Sequence, residues 1–178
     1  GDDVVEVKNS HDANWQVTRR SGGELIDDFL RARTTSLVGT QVDSIWYSTC
    51  TGGIGFSHQT KLGGYCEKGI SHELIDTYGR DHLQIQVEFG HKNNLEVFWS
   101  LRMNDTHDAH PENYRTRYYG LAPFKQDHPE YLLGQQGDWE RYPAGPRREW
   151  TSLDFSFPEV REHIFSLVEE VCQGYEVD

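Results

Sequence analysis

Apolar positions along this chain follow two different periods, and the period separates helices from strands. Leu25, Ile26, Phe29 and Leu30 recur at helical spacing behind Ser21-Gly-Gly-Glu24, a capping box whose Ser and Glu satisfy amides that a helix start leaves open. They predict a short amphipathic helix over residues 24–33. Near the other end, Ser156-Phe-Pro-Glu159 reads as a second capping box, with Ser156 as N-cap and Phe155 stapled onto Val160. The helix it opens carries Val160, Ile164, Leu167, Val168 and Val171 on one face and Glu162, Glu169 and Glu170 on the other, with Gly174 as a left-handed cap. Residues 41–48 are β-rich and run into the glycine-containing loop Thr49-Cys-Thr-Gly-Gly53.

Residues 83–89, Leu-Gln-Ile-Gln-Val-Glu-Phe, alternate apolar and polar, which taken alone predicts a strand and a hairpin onto residues 95–101. The competing reading is a helix over residues 81–92, with Leu83 and Val87 on one face and Asn93-Asn94 as its stop. Tyr175-Glu-Val-Asp178 has the look of another strand opening, and residues 104–154 form a loop-rich stretch too long for a plain connector.

Composition narrows the function classes. Lys and Arg number 17 against 29 Asp and Glu, a formal charge of −12 over 178 residues. Phosphate backbones are bound by displacing counterions with Lys and Arg, so nucleic-acid partners are not expected. No run reaches the roughly 18 apolar residues of a membrane span, and Gly1-Asp2-Asp3 is not the cationic start of a signal peptide. Cys50, Cys66 and Cys172 lack the C-x-x-C spacing of a zinc or redox site; they read as structural thiols, with a Cys50 to Cys66 bridge available in an oxidising compartment and Cys172 as a buried helical thiol. Gly53-Ile-Gly55 lacks the third glycine and following helix of a dinucleotide fingerprint. Aromatic residues make up 12% of the chain, many near strand ends, Tyr47 among them. Flat rings suit the faces of sugars, although most aromatics simply fill cores.

The densest chemistry is Arg102-Met-Asn-Asp-Thr-His-Asp-Ala-His110, just past the second strand. In parallel α/β folds that end of the sheet is where ligands bind. Arg102 is suited to hold a carboxylate or sugar hydroxyls in a fork, Asn104 to donate and accept, and Asp105 with His107 to orient one another or move a proton. Turn-forming and structural roles compete for the same residues. A metal set of Asp105, His107 and His110 does not follow a known helical ligand spacing. Asn104-Asp-Thr106 is also a glycosylation sequon, though one beside a presumed binding face. Asp154 and Glu159 read as capping residues, Asp43 as a carboxylate needing a partner, and His58, His72, His82 and His128 as solvated.

Gly39-Thr-Gln-Val-Asp-Ser-Ile45, Glu96-Val-Phe-Trp-Ser-Leu-Arg-Met-Asn-Asp-Thr-His-Asp108, His128-Pro-Glu130, Leu153-Asp-Phe-Ser-Phe-Pro-Glu-Val-Arg161 and Tyr175-Glu-Val-Asp178 resemble the glycosyl hydrolase-like (β/α)8-barrel proteins related to family 10 of that grouping. The resemblance covers roughly residues 36–178 and lies in order and spacing. It implies an α/β fold, the N-terminal part of a TIM barrel cut at its C-terminus, preceded by a segment 1–35 with one short helix. It also implies that residues 81–92 are a barrel helix, which decides between the two readings of that stretch. A complete barrel needs on the order of 250 residues, so the chain is expected to be a piece of a longer protein, partnered by the rest of its own barrel.

Glycoside hydrolysis uses two carboxyl groups about the scissile bond. The expectation is therefore the substrate-binding portion of a glycoside hydrolase, with Arg102, Asn104, Asp105, His107 and Tyr47 on the carbohydrate. Asp105 is the one candidate acid, the catalytic acids are expected beyond Asp178, and the piece by itself should be inactive. The alternatives are a non-catalytic carbohydrate-binding protein on a degenerate barrel and a metal-dependent hydrolase using Asp105 and His107. No cofactor is expected, and the compartment is open, export to the periplasm or outside the cell suiting polysaccharide work.

Overall fold

A computed structural model of the chain describes residues 4–8, 17–50, 55–64, 74–76, 78–109, 121–141 and 149–178. They contain β1 (Val4–Lys8), β2 (Val17–Ser21), α1 (Gly22–Arg33), β3 (Ser44–Tyr47), α2 (His82–Lys92), β4 (Glu96–Trp99), α3 (Pro123–Asp127), α4 (Asp138–Arg141) and α5 (Pro158–Gly174). The chain divides into two compact units, one of residues 1–47, 67–99 and 175–178, the other of residues 48–66 and 100–174.

In the first unit β1 and β2 pair antiparallel from Val4 opposite Ser21 to Lys8 opposite Val17. This ladder was not anticipated; its signal is the β-branched set Val4, Val5 and Val7. β3 and β4 pair parallel, Ser44 opposite Glu96 and Tyr47 opposite Trp99. Helix α2 begins where the Asp81 carboxylate accepts the Leu83 and Gln84 amides, both at 2.9 Å. Its alternating sequence still makes a helix because the buried arc is wide, taking in His82, Leu83, Ile85, Gln86, Val87 and Gly90. Gly90 lies against β4: a Cβ there would collide with Val97 Cγ2 and lie 3.1 Å from the Leu95 carbonyl oxygen. Asn94 ends the turn at φ 56°, a left-handed conformation Asn tolerates. Leu25, Phe29, Leu74 and Ile85 form the apolar core of this unit.

The expected partial (β/α)8 barrel is not formed. Among the described residues the only parallel pairing is β3 with β4, and the arrangement is mixed α/β. Tyr175-Glu-Val-Asp178 is not a third strand. Instead the Asp178 amide donates to the Val97 carbonyl (3.0 Å), while its carboxylate accepts the Val97 amide (2.7 Å) and meets His91 Nε2 at 3.0 Å. Both Val97 backbone groups pointing away from β3 are thus satisfied by one residue rather than by a ladder.

In the second unit α5 buries Val160, Ile164, Leu167 and Val171, four of the five expected positions; Val168 is exposed. Its start differs from the capping-box reading. The helix opens at Pro158, favoured at a first helical position, and the Asp154 carboxylate accepts the Ser156 amide at 2.8 Å. Arg161 donates back to the Phe155 and Ser156 carbonyls. Gly174 keeps a negative φ, so it is no left-handed cap. Cys50 is a free thiol and Cys172 is exposed rather than buried, while Cys66, the partner of the conditional bridge, lies outside the described residues. Among the described residues no helix is long and apolar enough to cross a membrane.

Candidate functional site

The chain enters the second unit at Ser48 and again at Ser100, and the first of several turns after Ser100 carries the chemistry-rich run. Four segments enclose a cleft of about 580 Å³, its open mouth included: residues 101–105 with Cys50, residues 55–64, residues 122–125, and the face of α5 that bears His163, Ile164 and Leu167. Phe56, Leu153, Ile164 and Leu167 are its buried apolar side; Arg102, Met103 and Leu62 stand exposed.

Cross-ties fix each wall. Thr60 Oγ1 and the Lys61 amide donate to the two Glu170 carboxylate oxygens at 2.5 and 2.6 Å, tying residues 60–63 to α5. Gly63 then lies so close to the Phe56 ring that a Cβ would stand 2.7 Å from Phe56 Cδ2. The Phe124 and His163 rings stack at 3.9 Å with 2° between their planes, joining α3 to α5. His128 and Tyr131 continue the ring cluster, at 5.1 and 5.9 Å from Phe124. Burial, and then the charge of His128, hold the His163 imidazole below its ordinary range, which favours its neutral form.

The wall of residues 101–109 is held by its own polar atoms. Asn104 donates to the Leu153 carbonyl (3.1 Å) and accepts the Leu153 amide (2.8 Å), Thr106 donates to Glu149 (2.6 Å), and the Trp150 indole donates to the Ala109 carbonyl (2.7 Å). Under it lies a buried ion pair. Lys125 Nζ, 4% exposed with its residue, donates to the Asp105 carbonyl at 2.7 Å and to both Asp108 carboxylate oxygens at 3.1 and 3.2 Å; Thr151 adds a 2.6 Å bond to Asp108. Burial pushes the Lys125 amine down and the Asp108 carboxyl up from their ordinary values, each partly offset by the other's charge.

Arg102 Nη1 and Asp105 Oδ2 meet at 3.0 Å on the cleft wall, the guanidinium 56% exposed and the carboxylate side chain 4%. That hydrogen bond, and then the carboxylate's charge, raise the Arg102 pKa further. Of the five expected binding residues, Arg102 and Asp105 are brought together at the cleft. Asn104 engages Leu153 with both its amide nitrogen and its amide oxygen. The His107 side chain, like His110 and His72, lies outside the described residues. Tyr47 belongs to the first unit, where its ring meets Phe29 edge-on at 6.3 Å and burial pushes its phenol up to about 12.

Other expectations change as well. His58 and His82 are buried rather than solvated: His58 Nδ1 bonds Thr49 at 2.7 Å, and His82 stacks on Phe29 at 4.4 Å. Asp43 is exposed, ahead of β3, and its carbonyl accepts the Glu96 amide. Among the described residues no group of three or more His, Cys, Asp or Glu is placed to hold a metal ion; the Asp105, His107 and His110 set falls partly outside them. Sequence reasoning passed over Phe124, Lys125 and His163. His163 had a signal, since it falls three residues after Val160 and four before Leu167, beside the buried stripe; a buried Lys in Phe-Lys-Gln-Asp had none. The chain matches no family model and no curated protein.

Proposed function

We propose that the cleft of the second unit binds a carbohydrate, and that the chain acts as the sugar-binding portion of a carbohydrate-active protein. The Arg102 and Asp105 pair on the cleft wall carries the reading. The exposed Arg102 guanidinium, held in place by one hydrogen bond to the nearly buried Asp105 carboxylate, keeps further N–H groups that can donate to neighbouring hydroxyls. The resemblance to glycosyl hydrolase-like proteins supplies the same ligand class. Binding is favoured over hydrolysis because, among the described residues, Asp105 is the only carboxylate lining the cleft and Asp108 is committed to Lys125 and Thr151.

Titrating neutral mono- and oligosaccharides into the ¹⁵N-labelled chain tests this. Shifts are expected at Arg102, Met103 and Asp105, with affinity reduced about tenfold or more in Arg102→Ala, a loss of roughly 1.5–3 kcal/mol for a bond to a charged group. Aryl glycosides should not be cleaved. Shifts absent from the cleft with every sugar, or an Arg102→Ala variant that binds as the wild type does, would contradict the proposal.

A further inference from the structure

We infer that the ligand is a two-part molecule, a neutral glycoside whose apolar aglycone enters the cleft while its sugar stays at the Arg102 and Asp105 wall. This rests on the carbohydrate reading above. Of the eighteen lining residues only Arg102, Asp105, Lys125 and His163 bear charged or imidazole groups. Lys125 is already bonded three times, to the Asp105 carbonyl and to both oxygens of Asp108. His163 is ring-stacked on Phe124. Stacking takes the face of the His163 ring and leaves its in-plane nitrogens as one polar point beside α5, so among the described lining residues charged recognition is confined to the Arg102 and Asp105 wall.

A sugar hydroxyl buried without a partner loses roughly 1–3 kcal/mol. A ligand polar throughout would bury several against Phe56, Leu153, Ile164 and Leu167, whereas an aglycone there removes apolar surface from water at about 0.8 kcal/mol per CH₂. Charge points the same way. Arg102 faces Asp105 and Lys125 faces Asp108, so each cation has its counter-ion and nothing favours an anionic ligand.

The test compares methyl, hexyl and phenyl β-D-glucosides and β-D-xylosides with hexan-1-ol, by calorimetry and by ¹⁵N shifts of the chain. In at least one sugar series the hexyl or phenyl glycoside should bind at least tenfold tighter than both the methyl glycoside and hexan-1-ol, the two arms separating a flexible from a flat aglycone. Leu62→Ser should shrink the ratio of hexyl to methyl affinity, and Arg102→Ala should weaken both glycosides in proportion. Equal affinities for methyl, hexyl and phenyl glycosides would overturn the inference and leave the carbohydrate reading standing. Hexan-1-ol binding as tightly as hexyl glycoside would overturn both, since the sugar would then contribute nothing. So would a cleft that no probe perturbs.

Discussion

Lys125 shows what a single side chain does when it is removed from water. An ammonium in that position is tolerable only with a counter-charge and a full set of acceptors, which Asp108 and the Asp105 carbonyl supply. Lys125→Met would leave the Asp108 carboxylate buried without its cation, at a cost of about 3–5 kcal/mol. The double variant Lys125→Met, Asp108→Leu should recover most of that loss, and urea denaturation of the three proteins checks it. Nothing in the sequence distinguishes this lysine, because its partner lies seventeen residues away and its burial depends on how the turns close. Arg102 and Asp105 were legible for the opposite reason: three residues apart in one turn, they meet through local geometry alone.

At the scale of elements, α2 and β4 are matched through one missing side chain. Gly90→Ala would ordinarily strengthen a helix by up to about 1 kcal/mol. Here the added methyl meets Val97 and the Leu95 carbonyl, and overpacking of this kind costs about 1–3 kcal/mol. A net lowering of the thermal midpoint is expected in Gly90→Ala, with Gly90→Ser no better. The helices and the parallel strands were readable because their signals are local: periodic apolar residues over α1 and α5, and one β-branched residue followed by two aromatic ones in each of β3 and β4. Where α5 begins was less legible. Ser156 and Glu159 have the right spacing, yet the Asp154 carboxylate takes the Ser156 amide that Glu159 would reach back to. The barrel was a statement about how elements associate, taken from resemblance, and no periodicity records whether Tyr175-Glu-Val-Asp178 will pair as a strand or turn its last carboxylate onto Val97.

For the whole molecule, acidity is the condition to which stability should respond most. His82 is buried against Phe29, its Nε2 has no hydrogen-bond partner among the described residues, and burial lowers its pKa from 6.5 to about 4. The unfolded chain therefore binds a proton that the folded one refuses. The contribution is complete above pH 6.5 and is lost as pH falls from there to about 4, a change of about 3 kcal/mol. The Asp108 carboxyl, raised by burial, works in the opposite direction on its own titration. Subtracting the curve of His82→Phe, which keeps the stack without the titration, isolates the histidine: the variant should show a flatter acid limb between those pH values.

The parallel register of β3 and β4 also has a kinetic side. Ile45 and Val97 stand opposite one another but are fifty-two positions apart in the chain. Bringing them together closes a long loop before any ladder bond repays the lost freedom, whereas α1, α2 and α5 depend on neighbours three and four residues away. The small sheet is therefore expected to form late in folding, after the local contacts of the helices.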